Sequence, residues 1–233
     1  MTRINGVQDS FNSLIDYLRN YSISGIITDE VSGKLRSLHK NLYALLCWKI
    51  ELESSKSNDK ESEYFFECLS DLIQIIPLLS QGFYKAVKLL HRGSVENFLR
   101  WLVVKCGGDI EKFCHTYQYF EFLKTAHCGD ILYIRLIDDL RETYARLCRY
   151  VHTSGSFYCT FSQALNEFPA YNNELFKDDI EDLCNTINVF NQFMIKCQSV
   201  LLDNMFPGNK DAILDSLSKT QKRELLDTFV KSS

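Results

Sequence analysis

Residues 131–152, ILYIRLIDDLRETYARLCRYVH, decide the fold. Ile134, Ile137, Leu140, Tyr144, Leu147, Cys148 and Val151 recur every three or four residues, the period of a helix with one buried face. Arg135, Asp139, Glu142, Arg146 and Arg149 fall largely on the opposite side. At about 100° per residue, His152 lies roughly 40° from Cys148, 60° from Arg149 and 120° from Arg146. That places His152 at the seam between the apolar and basic faces. Asp130 can cap the start of this helix, and Thr153-Ser154-Gly155 stops it.

The same period runs outward in both directions. Phe11, Leu14, Ile15, Leu18 and Tyr21 mark a helix over 8–22. Thr28 is an N-cap, with Asp29 and Glu30 in the first turn of a helix reaching about Glu53. The polar run 54–62, SSKSNDKES, is a loop. A helix over 63–80 follows, which Pro77 ends or kinks, then another from about Gln81 to Cys106 that Gly107-Gly108 terminates. Asp109 can cap a helix over 110–126. Residues 153–173 show no period and read as an irregular loop. The stripe returns over 174–205, until Pro207-Gly208 breaks it. Two short helices close the chain, the second with a capping box from Ser218 to Gln221.

No strand-like alternation or internal repeat interrupts this pattern. The fold class is all-α: an antiparallel bundle of four to five long helices over 63–205, N-terminal helices (1–53) packed on it, and a C-terminal helical appendage over 208–233. The appendage's stripe of Ile213, Leu217, Leu225, Leu226 and Phe229 must be buried on the body or on a second chain.

Composition narrows the class. In 233 residues, 45% are hydrophobic and 24% charged, the balance of a globular protein with a real core. No apolar run approaches the ~20 residues of a membrane span, so no membrane association is expected. The start MTRINGVQDS has no apolar signal region, and nine scattered cysteines fit a reduced, cytoplasmic protein. A net charge of −4 argues against coating nucleic acid non-specifically. The charge is uneven: Lys85, Lys88, Arg92, Arg100 and Lys105 face only Glu96 over 85–105, whereas 174–203 is acidic.

Three constellations hold candidate chemistry. His152 with Arg146 and Arg149 joins a base to cations. An arginine disfavours the cationic form of a neighbouring imidazole, and metal-free RNA cleavage needs a base, a cation on the phosphate and an acid for the leaving oxygen. The plainer alternative is a histidine that ends a helix and bonds a neighbouring carboxylate. Arg92, Glu96 and Arg100, spaced by four, form a ladder on one helix face. The ladder is either a surface ion-pair series or a support in which Glu96 orients His152. Cys106, Cys114, His115, His127 and Cys128 are zinc-ligand types without knuckle spacing, so no metal is expected. The aromatic run Tyr117, Tyr119, Phe120, Phe122 can stack on bases or pack into the core. No phosphate-cradling glycine loop, nucleophile elbow or cofactor motif is present.

One family shows this order of motifs. An Arg-x-x-x-Glu step inside an apolar helix (Arg92 to Glu96), a short insert, and a helix ending Leu-x-x-Tyr-Val-His (Leu147 to His152) resemble the HEPN superfamily (higher eukaryotes and prokaryotes nucleotide-binding) of helical bundles. Its signature is an arginine followed, after four to six residues, by a histidine near a helix end, as Arg146 and His152 stand here. The resemblance covers about residues 63–205. It implies a cytoplasmic homodimer that cuts RNA without metal or cofactor, in toxin or anti-phage defence, alone or with a protein partner encoded nearby. Carried over, His152, Arg146 and Arg149 would be catalytic, Arg92 and Arg100 would bind phosphate, and Glu96 would orient. Leu147 stands where active members often carry a polar residue. The alternative is therefore a non-catalytic helical module that binds protein or RNA, with the Arg/His motif structural.

Overall fold

The computed structural model describes residues 6–21, 28–55, 60–152 and 171–231, and all regular structure among them is helical. The helices are α1 (Val7–Tyr21), α2 (Asp29–Ser54), α3 (Lys60–Ser80), α4 (Tyr84–Lys105), α5 (Thr116–Ala126), α6 (Ile131–Val151), α7 (Asn173–Cys197), α8 (Ser199–Asn204), α9 (Pro207–Asp215) and α10 (Lys219–Lys231). Among the described residues no helix is long and apolar enough to cross a membrane. The loop expected over 153–173 lies outside the described residues except for Tyr171, Asn172 and Asn173, of which Asn173 already begins α7.

The caps fall where the side chains call for them. Thr28 Oγ1 accepts from Val31 N at 3.3 Å, Asp130 Oδ1 from Tyr133 N at 2.9 Å, and Ser218 exchanges bonds with Gln221 at 2.9 and 3.2 Å. α3 continues through Pro77 to Ser80, because the proline lies in the last turn and forfeits only one ladder bond. α4 then ends in a Schellman turn, with Gly108 N bonded to Val103 O at 2.8 Å and Gly107 N to Val104 O at 2.9 Å. Gly107 supplies the positive φ of 76° that this turn requires. At Gly108 the need is space, since a Cβ would stand 2.6 Å from Val103 Cγ1 and 2.9 Å from the Phe122 ring.

Besides the start of α3, which lies at Lys60 inside the run expected as a loop, two expected boundaries change. Asp109 caps only a single 3-10 turn, Ile110–Lys112, and α5 starts at Thr116. Phe113 leaves the helical path, in extended backbone, to pack its ring edge-on against Tyr119 and Phe122 at 5.5 and 5.6 Å. The helix expected over 174–205 breaks at Gln198 into α7 and α8.

One apolar core runs from Phe11 to Leu225. At its centre Phe98 of α4 stacks on Phe190 of α7 at 4.0 Å and touches Phe65, Trp101 and Phe193. Burying a side chain of that size contributes about 1.5–3 kcal/mol. α2 contributes to this core, as Leu35, Leu45, Cys47 and Trp48 are fully buried. Of the C-terminal stripe, Ile213, Leu217 and Leu225 are buried, the side chains of Leu226 and Phe229 lie outside the described residues, and Glu51 of α2 accepts from Phe206 N and Asn209 Nδ2 at 3.1 and 2.6 Å.

The uneven charge has a structural outlet. Basic α4 lies against acidic α7, where Lys88 Nζ is 2.5 Å from Asp179 Oδ1 and 3.3 Å from Asp182 Oδ2. Beneath them His91 is buried, with Nε2 2.9 Å from Thr186 Oγ1. Thr186 donates its hydroxyl to Asp182 O, so it accepts from a neutral His91 protonated at Nε2.

Candidate functional site

The end of α6 divides its own motif. His152 is the C-cap residue, exposed, with its backbone N–H bonded to Cys148 O at 2.9 Å. Arg149, one turn earlier, is also exposed, and Leu147 is fully buried. Arg146 turns to α7 instead, where its Nη1 bonds Asp182 Oδ2. Burial alone would raise the Asp182 carboxyl, but the Arg146 bond and the Lys88 charge outweigh it and hold the group below its ordinary value. One carboxylate thus ties α4 and α6 to α7. Arg146 is engaged in that tie, on a different side of α6 from His152.

Glu96 is engaged as well. It was expected to orient His152, yet its Oε1 accepts from Arg92 Nη2 at 2.7 Å and from Tyr144 Oη at 2.6 Å. Tyr144 precedes His152 by two helical turns, roughly 12 Å along the axis. Glu96 therefore positions Tyr144 and Arg92. Burial first, then the bond to Glu96, pushes the Tyr144 phenol up to about 12, so it stays protonated and donates. Burial lowers the Arg92 guanidinium, but Tyr144 and Glu96 outweigh it and raise the group, keeping its charge fixed.

The ladder expected from Arg92 through Glu96 to Arg100 stops at Glu96. Arg100 Nη1 donates to Asn97 Oδ1 at 2.8 Å, and Asn97 Nδ2 donates to Asp71 Oδ2 on α3 at 3.1 Å. Gly93 admits that carboxylate, as a Cβ there would stand 2.9 Å from Asp71 Oδ2.

What the structure does bring together is Arg92 and Arg100. Both line a cleft of about 510 Å³ with His115, Thr116, Tyr117, Tyr119 and Tyr144. The His115 and Tyr117 rings stack at 5.8 Å and 16°, and Tyr117 is 56% exposed. Arg92 Nε is buried, with no hydrogen-bond partner among the described residues. Of the aromatic run, Tyr119 and Phe120 are core residues and Tyr117 faces solvent. Tyr144 and His115 went unrecognised in the sequence: Tyr144 counted only as an apolar position, and His115 only as a zinc-ligand type. No local signal links either to Arg92.

The cysteine–histidine residues form a different arrangement. Cys106 Sγ lies 3.1 Å from His127 Nε2, whose ring stacks on Tyr133 at 3.6 Å. Tyr133 Oη is 3.7 Å from both Cys106 and Cys197. Burial raises the Cys106 thiol, with Tyr133 opposing, so the thiol form is favoured. Among the described residues no three His, Cys, Asp or Glu converge as metal ligands. A second, larger cleft of about 740 Å³ opens between α2, α6, α7 and α10, and Arg146 is on its wall.

Comparison with family models, characterised proteins and solved structures finds no match to this chain.

Proposed function

We propose that this chain is a HEPN-like helical module that binds single-stranded RNA in the cleft between α4, α5 and α6 without cutting it. The observation that carries this reading is that Arg92 and Arg100 share one cleft with the His115–Tyr117 stack. Guanidinium groups hold phosphates and exposed rings stack on bases, the pairing that single-stranded RNA requires. Arg92 is paired with Glu96, so Arg100, whose guanidinium bonds the neutral Asn97 amide, is the chief phosphate contact and Arg92 flanks it. The overall charge of −4 offers no general attraction for nucleic acid, so a local cationic cleft is needed. Binding of a labelled short single-stranded RNA, followed by fluorescence anisotropy, tests the reading. Wild type binds saturably, and Arg100→Ala and Tyr117→Ala each weaken it. Equal affinity in all three proteins refutes the cleft as the site.

A second reading keeps the nuclease. His152 and Arg149 are both exposed within one turn, so a homodimer could face two such ends across a phosphodiester. The Arg146–Asp182 bond weighs against it, because it commits the motif's arginine to holding α7. Cleavage of RNA by wild type and its loss in a folded His152→Ala variant would restore the enzyme.

A further inference from the structure

The larger cleft has an unusual hydrogen-bond inventory. Its two cations are already neutralised. Arg135 gives both terminal nitrogens to Glu224, at 2.6 and 3.4 Å, and Arg146 is bonded to Asp182. Three of its amide donors are engaged too: Gln192 Nε2 and Gln221 Nε2 both go to Asn188 Oδ1, at 3.0 and 2.5 Å, and Asn188 Nδ2 goes to Ser216 O at 3.4 Å.

Beside these engaged groups stands a set of open acceptors. Gln192 lines the cleft, is only 3% exposed, and its buried Oε1 has no partner among the described residues. A buried amide oxygen left unpaired is destabilising, and a ligand donor would relieve that cost. Asp139 and Glu142, one turn apart on α6, line the same cleft and form no ion pair with a described cation. Burial raises the Asp139 carboxyl above its ordinary value; Arg135 opposes this, and Glu142 and Asp138 add to it. Arg135 compensates the negative charge there only in part. Between these acceptors, Leu136, Leu140 and Val189 supply apolar wall.

We propose that this cleft binds a small aliphatic polyamine, with one ammonium held by Asp139 and Glu142, the methylene chain along Leu136, Leu140 and Val189, and a second nitrogen donating to Gln192 Oε1. An anion is disfavoured because the arginines are paired. A bare divalent ion is disfavoured because no three His, Cys, Asp or Glu side chains converge among the described residues. An uncharged apolar ligand would leave Gln192 unpaired. An alkyl chain carrying cationic nitrogens satisfies the carboxylates, the apolar wall and the amide together.

Isothermal titration of the full, RNA-free chain with spermidine tests this. The expected result is saturable one-to-one binding that an equal concentration of magnesium does not displace. Asp139→Asn combined with Glu142→Gln, both exposed positions, should weaken it at least tenfold with the melting temperature of the free protein retained. Gln192→Met should weaken it several-fold. Arg100→Ala, in the other cleft, should leave it unchanged, which separates this proposal from the RNA reading. Absence of saturable heat at millimolar spermidine, equal binding by the double variant, or full displacement by magnesium would each overturn it.

Discussion

Burial of His91 makes stability fall with acid by a calculable amount. The imidazole is 1% exposed and bonded to Thr186. Burial first, then the charges of Lys88 and Arg146, bring its pKa down to about 3, with Asp182 opposing. The unfolded chain titrates near 6.5. A folded pKa below the unfolded one gives stability that is complete above about pH 6.5 and is lost as pH falls toward 3, because the unfolded state takes up the proton first. Between pH 7 and pH 5 the gap grows by roughly 1.5 pH units, or about 2 kcal/mol. His39, buried and brought down to about 4, adds a loss of the same sign over the same window. Replacing His91→Gln keeps a donor for Thr186 and removes the titration. Urea unfolding at pH 7 and pH 5 should show wild type losing about 2 kcal/mol more than the variant across that interval. Identical losses in both proteins would refute the buried, neutral imidazole.

Two further substitutions probe the frame around the site. Asp182→Asn strips the shared partner from Arg146 and Lys88, both half-buried or better, and should cost about 1–3 kcal/mol in urea unfolding at pH 7. An unchanged midpoint would mean the pairs are surface decoration. Gly108→Ala forces a methyl into Val103 and Phe122 and should cost about 1–3 kcal/mol, read as a lowered melting temperature; a neutral result would mean the α4–α5 turn relaxes freely.

Helices were legible because their apolar residues keep the 3.6-residue period, and caps such as Thr28, Asp130 and Ser218 mark their starts. Phe113 was not, because its ring contacts with Tyr119 and Phe122 override a continuous helical pattern. The candidate site was legible as residue types and illegible as pairings. Arg92 and Glu96 are four apart, so their bond follows from helix geometry. Arg146 and Asp182 are 36 residues apart on separate helices, and six acids of the 174–203 run compete as partners. Tyr144 shows the deepest ambiguity: its ring occupies an apolar position while its hydroxyl completes the Glu96 knot. Gln192 lacks any sequence signal, since an unpaired oxygen is a property of packing alone.

The most direct measurement joins binding and integrity in one sample: a short end-labelled single-stranded RNA titrated with wild type and Arg100→Ala by anisotropy, then run on a denaturing gel. Removing one phosphate contact should weaken binding severalfold or more and reduce the salt slope by about 0.7, with the RNA intact in both samples. RNA cut by wild type but not by His152→Ala, or binding indifferent to Arg100, would contradict the account.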